Sequence, residues 1–132
     1  MARILIAEDD DILRAFVVRA LDSDSHDLTE AVDGATALAA LNSFNGEFDL
    51  LLSDVKMPGM DGIELALATG RRHPDIAIML MTGYADQRER AYGLDALVHD
   101  VISKPFSVDQ ITRVVREALV QRTSPQLRIR NL

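Results

Sequence analysis

Short apolar runs rich in branched residues recur along the chain: Ile4-Leu5-Ile6-Ala7, then residues 48–52, 76–81 and 98–102, the last with a polar interruption. A weaker run at 26–32 lies between the first two, and the spacing predicts five strands. Helical patterns separate them. Ile12, Leu13, Phe16, Val17, Ala20 and Leu21 share one stripe at three- and four-residue intervals. Ile63, Ala66 and Leu67 form a second, and Ile111, Val114, Val115, Ala118 and Leu119 a third. Residues 34–41 and 85–94 read as the remaining helices. In the latter, Gln87-Arg88-Glu89-Arg90 leaves a thin apolar face, so that helix is expected to be loosely held. Strands that alternate with helices need a crossover between parallel neighbours, and near-continuous apolar strands must be covered on both faces. The expected fold is α/β, a doubly wound (βα)5 five-stranded parallel sheet.

The polar residues fall where the apolar runs stop. The first run ends at Glu8-Asp9-Asp10-Asp11, the third at Ser53-Asp54, the fourth at Thr82-Gly83 and the fifth at Ser103-Lys104-Pro105. In a parallel sheet all strand C-termini share one edge, where such folds bind ligands. With the flavodoxin-like order 2-1-3-4-5, the first and third strands are neighbours and Asp9 faces Asp54. Carboxylates within ~4–6 Å of one another repel and raise one another's pKa unless a cation neutralises them. Mg²⁺ suits such a site, because it prefers oxygen ligands and keeps waters that phosphate oxygens can replace. Lys104 and Thr82 would bring a charge and a hydroxyl to an incoming anion, leaving Asp54 as the acid placed to attack it. The chemistry predicted is an aspartyl phosphate on Asp54.

Plainer readings compete with each residue taken singly. Asp10 or Asp11 suits a helix N-cap, favoured there by the helix dipole. Asp54 alone fits a solvated loop acid, Lys104 a snorkelling side chain and Thr82 a cap for the following helix. Pro58-Gly59 and Asp61-Gly62 are turn punctuation whatever the function. His26, His73 and His99 lack metal-site spacing and read as surface or strand residues, and Met57, Met60, Met79 and Met81 as packing. Only the joint placement of Asp9, Asp54, Thr82 and Lys104 at strand ends favours the chemical reading.

Composition narrows the field. At 132 residues the chain fits one domain, expected over 1–122, with 123–132 a short flexible tail and no output domain. Fourteen basic against 21 acidic residues give a net charge of −7, which argues against nucleic acid as a partner. There is no cysteine for disulfides or thiolate chemistry, and the N-terminus reaches acids too soon for a signal peptide. No apolar stretch approaches the ~20 residues of a membrane span, so a cytoplasmic location is expected.

ILIAEDD, DLLLSDVKMPGMDG, IMLMTG and SKPF, in this order and at these separations, resemble the receiver domain of bacterial two-component response regulators, the CheY-like fold, over about residues 3 to 120. The resemblance implies that Asp54 is the phosphoacceptor and that Glu8 and Asp9 form the acid pocket, with Asp9 the nearer metal ligand. It also implies that the main-chain carbonyl of Lys56 completes the protein's share of the Mg²⁺ shell. Thr82 becomes the switch hydroxyl, Lys104 the phosphate-binding lysine, and the Lys104-Pro105 bond is cis in the family. Two departures stand out. Glu8-Asp9 replaces the more frequent pair of Asp, and Val101 occupies the place where a Tyr or Phe commonly swings inward; Tyr84 is the candidate substitute.

A narrower likeness, carried by RILIAEDDD, RAF, RAL, FDLLLSDV, MPGMDGIELA and VISKPF, is to the CpdR group of single-domain regulators of alphaproteobacteria. It implies an adaptor that, unphosphorylated, primes the ClpXP protease through ClpX for cell-cycle substrates and gathers at the cell pole. It also implies phosphate arriving from a histidine kinase through a ChpT-like phosphotransferase. The fourth predicted helix, fifth strand and fifth helix form the expected output or homodimer face. An aspartyl-phosphate phosphohydrolase fits less well, since its second acid, two residues past the nucleophile, is here Lys56. A receiver-shaped module that never accepts phosphate is the other alternative, and in none of the preferred readings is the chain an enzyme acting on other molecules.

Overall fold

Along the first strand, neighbouring side chains point to opposite faces of the sheet, and both faces are buried. In the computed structural model, which describes residues 2–43, 47–83 and 97–123, the elements run β1 (Arg3–Ala7), α1 (Asp11–Asp22), β2 (Asp27–Ala31), α2 (Gly34–Ser43) and β3 (Leu50–Asp54). They continue with α3 (Gly62–Arg72), β4 (Ala77–Thr82), β5 (Asp100–Ser103) and α4 (Val108–Thr123). All pairings are parallel and the strand order is β2-β1-β3-β4-β5, as the sequence predicts. The fifth predicted helix is thus α4. The segment 85–94, Tyr84 and the tail 124–132 lie outside the described residues.

Ile4 and Ile6 of β1 pack with Val17, Leu21, Ile111 and Val115, so α1 and α4 cover one face. Leu5 and Ala7 pack with Ala37, Leu41, Leu65 and Ala66, so α2 and α3 cover the other. β3 and β4 are buried at every position, as central strands of a two-sided sheet must be. β5 is an edge strand and only Ile102 is fully buried there.

The helix starts are written locally. Asp10 caps α1, its Oδ1 accepting from the amides of Ile12 at 2.9 Å and Leu13 at 3.2 Å. Asp61 and Glu64 form a reciprocal capping box at α3, and Ser107 and Gln110 exchange the equivalent pair of bonds at α4.

Three sequence expectations need correction. Ile12 and Phe16 do not join the buried stripe of α1: they are 85% and 37% exposed, because they line an open groove with Pro105 and Phe106 instead of packing on the sheet. Leu67, 40% exposed, lies at the margin of the α3 stripe. His26 is no surface residue, for its side chain is nine-tenths buried and Nδ1 accepts from the amide of Ala2 at 3.1 Å.

Two glycines hold the turn after β3. Gly59 has φ +71°, and Gly62 brings α3 so close that a Cβ there would sit 2.0 Å from the carbonyl oxygen of Asp54. Only the second has backbone in its way. Gly62→Ala is therefore expected to cost roughly 3 kcal/mol and Gly59→Ala about 1 kcal/mol in urea unfolding, and the reverse ranking would contradict this account.

Candidate functional site at the C-terminal edge of the sheet

The register of the strands decides which acids meet. The β1–β3 pairing ends at Ala7 opposite Ser53, so the chain leaves the sheet at Glu8 and Asp54 side by side. Next door, Asp54 pairs with Met81, Thr82 with Ser103, and the amide of Lys104 donates to the Thr82 carbonyl at 2.7 Å. Lys104 thereby stands at the same edge. Its Nζ donates to Asp54 Oδ1 at 2.8 Å and to Glu8 Oε1 at 3.3 Å. The other carboxylate oxygen of Glu8 accepts from the amide of Asp10 at 3.0 Å. Carboxylate oxygens of Glu8, Asp9 and Asp54 lie within 4.8 Å of one another. Glu8 is fully buried and Asp54 is 5% exposed, whereas Asp9 is open to solvent. A cavity of about 340 Å³ opens over them, lined by Glu8, Asp9, Asp10, Asp54, Lys56, Gly83 and Lys104.

Charge crowding shows in the acid strengths. Burial pushes the Glu8 carboxyl up to about 7, opposed by the Asp10 amide and reinforced by the charge of Asp54. Burial raises Asp54 as well, against the pull of Lys104. For Lys104 burial works against the charge, but the hydrogen bond and charge of Asp54, with those of Glu8, outweigh it and hold the ammonium above the ordinary lysine value. Two of the three carboxylates share one ammonium. Hard oxygen donors at this spacing, two of them pushed toward protonation chiefly by burial and further by the charge of a neighbouring acid, fit a divalent cation of the Mg²⁺ type.

The other predicted site residues are placed as follows. Thr82 is buried at the end of β4 and is not a wall of the cavity; Gly83 takes that position. Lys56 lines the cavity. Val101 is half-buried against the core cluster that contains Leu80, and Pro105 follows a cis Lys104–Pro105 bond. Tyr84 lies outside the described residues. Sequence reasoning missed that Glu8 reaches Lys104 and that the buried Ser53 hydroxyl donates to the Asp54 carbonyl at 2.9 Å. It also missed an apolar groove of about 540 Å³ beside the acids, formed by Ile12, Leu13, Phe16, Pro105 and Phe106 and sharing Asp10 and Lys104 with the acidic cavity. The rings of Phe16 and Phe106 meet there with centroids 6.1 Å apart. The exposure of Ile12 is not legible from periodicity alone.

A parallel sheet wound in this order, with acids and a lysine converging at the switch point of the winding, is the architecture of a receiver domain. The chain belongs to the response regulator receiver domain family, whose model matches residues 4–116. It is 38% identical over 120 residues to the response regulator receiver protein CpdR of Brucella abortus (strain 2308), spanning 91% of this chain and 98% of that protein. It is 40% identical over 119 residues to the sensor kinase CckA of the same organism, spanning 89% of this chain but only 12% of the kinase. Among solved structures, a CheY-like receiver domain protein of Methanospirillum hungatei JF-1 matches with a TM-score of 0.84 at 27% identity, over 92% of this chain and 96% of that one. Among the described residues no helix is long and apolar enough to cross a membrane.

The pKa of Glu8 predicts an unusual pH profile for the metal-free protein. Its folded value of about 7 lies above the unfolded value near 4.5, so between them the native state holds the extra proton. Stability conferred by that proton is present at low pH and is lost as pH rises through the window. In EDTA, unfolding free energy is expected to fall by roughly 1–3 kcal/mol from pH 5 to pH 8, and the fall is expected to shrink in Glu8→Gln. A flat wild-type profile would refute the assignment.

Proposed function

We propose that this chain accepts a phosphoryl group on Asp54 in the presence of Mg²⁺, taking it from a histidine kinase or phosphotransferase, and so switches its contacts with other proteins. The observation that carries the reading is the 2.8 Å bond from Lys104 Nζ to Asp54 Oδ1 inside an acidic cavity large enough for a phosphoryl group. An Asp54 oxygen attacks phosphorus, the bond from phosphorus to the donor imidazole nitrogen breaks, and the imidazole keeps the electron pair and takes a proton from solvent. Mg²⁺, when bound, neutralises charge on the acids and on the transferred oxygens. Glu8, Asp9, Asp54 and the main-chain carbonyl of Lys56 would hold it. Lys104, already paired with Asp54, meets the phosphoryl oxygens with its ammonium. Thr82 serves as the switch hydroxyl, with Tyr84, Val101 and Pro105 in the segments that respond.

The donor protein must cover the surface around the cavity to bring its imidazole to Asp54. The exposed Ile12 and Phe16 beside Pro105 and Phe106 offer the apolar ground for that docking.

For output, the near-complete span shared with CpdR supports an adaptor role of the same kind, with ClpX of ClpXP as partner, a cytoplasmic and polar location, and residues 1–122 as the working domain. The face of β5 and α4 is its state-dependent surface and the route to a homodimer; the fourth predicted helix, expected to share in it, lies outside the described residues. Retention on immobilised ClpX, compared between wild type and Asp54→Ala, tests this; loss from both forms removes the adaptor role and leaves the phosphoacceptor reading standing.

Incubated with Mg²⁺ and acetyl phosphate, the protein is expected to gain one phosphoryl mass that Asp54→Ala does not gain. Lys104→Ala is expected to slow that gain roughly a hundredfold. A wild-type protein that gains nothing is a phosphorylation-independent binding module instead, and multiple turnover on phosphate esters would mark a phosphohydrolase. Ile12→Ser with Phe16→Ser is expected to slow transfer from a phosphorylated phosphotransferase about tenfold and to leave acetyl phosphate labelling unchanged. Equal slowing with both donors would place the donor protein elsewhere.

A further inference from the structure

Arg14 stands one turn into α1, yet its side chain is only 14% exposed. Its Nη1 donates to the main-chain carbonyl of Glu8 at 2.9 Å, its Nη2 to Asp11 Oδ1 at 2.7 Å and its Nε to Glu30 Oε1 at 3.1 Å. The three acceptors come from the β1–α1 turn, the first turn of α1 and strand β2. Asp11 and Glu30 are well exposed, and their pairing with Arg14 is screened by solvent. The carbonyl of Glu8 differs: it follows the last paired residue of β1, beside the buried acids, and its partner there is a charged donor.

That carbonyl belongs to the peptide plane joining Glu8 to Asp9. The amide of Glu8 is fixed by the Ala31 carbonyl at 3.1 Å, and its carboxylate by the Asp10 amide and Lys104. Arg14 fixes what remains, the tilt of the plane from which the Asp9 side chain departs. We propose that Arg14 is a positioning residue for the divalent-cation site, setting the separation of the Glu8 and Asp9 carboxylates and tying it to Glu30 on strand β2. The proposal rests on the cation-binding reading above. Arg14 touches neither the cation nor the phosphoryl group, and it acts through the backbone.

The test is calorimetric titration of Mg²⁺ into the unphosphorylated full chain, with the amide resonances of Asp9 and Asp10 followed by NMR. Arg14→Met is expected to weaken Mg²⁺ binding about tenfold and to shift the Asp9 amide in the metal-free protein. Arg14→Lys, which keeps one charged donor for the Glu8 carbonyl, is expected to recover most of the loss. Arg116→Met breaks the pair with Asp24, 2.6 Å long and on the far side of the molecule's acids, and serves as a control that is expected to leave Mg²⁺ affinity unchanged. Affinity in Arg14→Met within about twofold of wild type, with the Asp9 amide unmoved, would overturn the role of Arg14 while leaving the cation site intact. If Arg14→Met does not fold, Arg14→Lys and Arg14→Gln decide by the same comparison, wild-type affinity in both overturning the role. A wild-type chain that takes up no Mg²⁺ overturns the cation site itself.

Discussion

Three carboxylates crowd around one ammonium at the C-terminal edge of the sheet, and the rest of the molecule is built so that they cannot move apart. Glu8 and Asp54 leave adjacent parallel strands at the same height, and Asp9 follows Glu8 by one residue. Their repulsion is tolerated because the strands behind them are buried on both faces and packed between two helical layers. What the fold holds in place is a deficit of positive charge. Lys104 answers part of it, and burial, with the nearby acid charges adding to it, raises the pKa of both Glu8 and Asp54. A site with this imbalance is suited to a cation, and in the proposed reading a phosphoryl group arriving with one adds negative charge only after the acids have been matched.

The same edge carries two surfaces of different character. The acidic cavity suits a small ion and a phosphoryl group, while the groove next to it is apolar and is walled by Phe16, Phe106 and the exposed Ile12. Asp10 and Lys104 belong to both. Asp10 is also the N-cap of α1 and the amide donor to Glu8, so the start of one helix fixes the acid pocket and the groove together. Anything that docks on the groove lies against residues whose neighbours hold Asp54. In the proposed reading this adjacency lets a protein donor, rather than a free anion, deliver the signal.

The layer structure was legible because it follows from period. Branched runs such as Ile4-Leu5-Ile6-Ala7 and residues 76–81 admit little but central parallel strands, and the stripe Ile111, Val115 and Ala118 admits little but a covering helix. The candidate site was legible for a second reason: Asp54 and Lys104 sit directly after such runs, and a parallel sheet sends all those ends to one edge. Periodicity failed with Ile12 and Phe16, whose spacing matches the buried Val17 and Leu21 although they line an open groove with Pro105 and Phe106. It failed with His26 too, whose burial depends on the amide of Ala2, 24 residues away.

The sequence by itself determined which residues are strands and helices, that the sheet is parallel, and that a carboxylate, a hydroxyl and a lysine end successive strands, because these depend on order and spacing along the chain. Only the tertiary structure decided that Glu8 shares Lys104 with Asp54, that Thr82 is covered while Gly83 lines the cavity, and that Arg14 grips the carbonyl between two acids. The contacts of Lys104 span 50 and 96 residues, and that of Arg14 turns on the direction of a single carbonyl. Their lengths are set by strand register and by the tilt of single peptide planes, which a pattern of residue types does not encode.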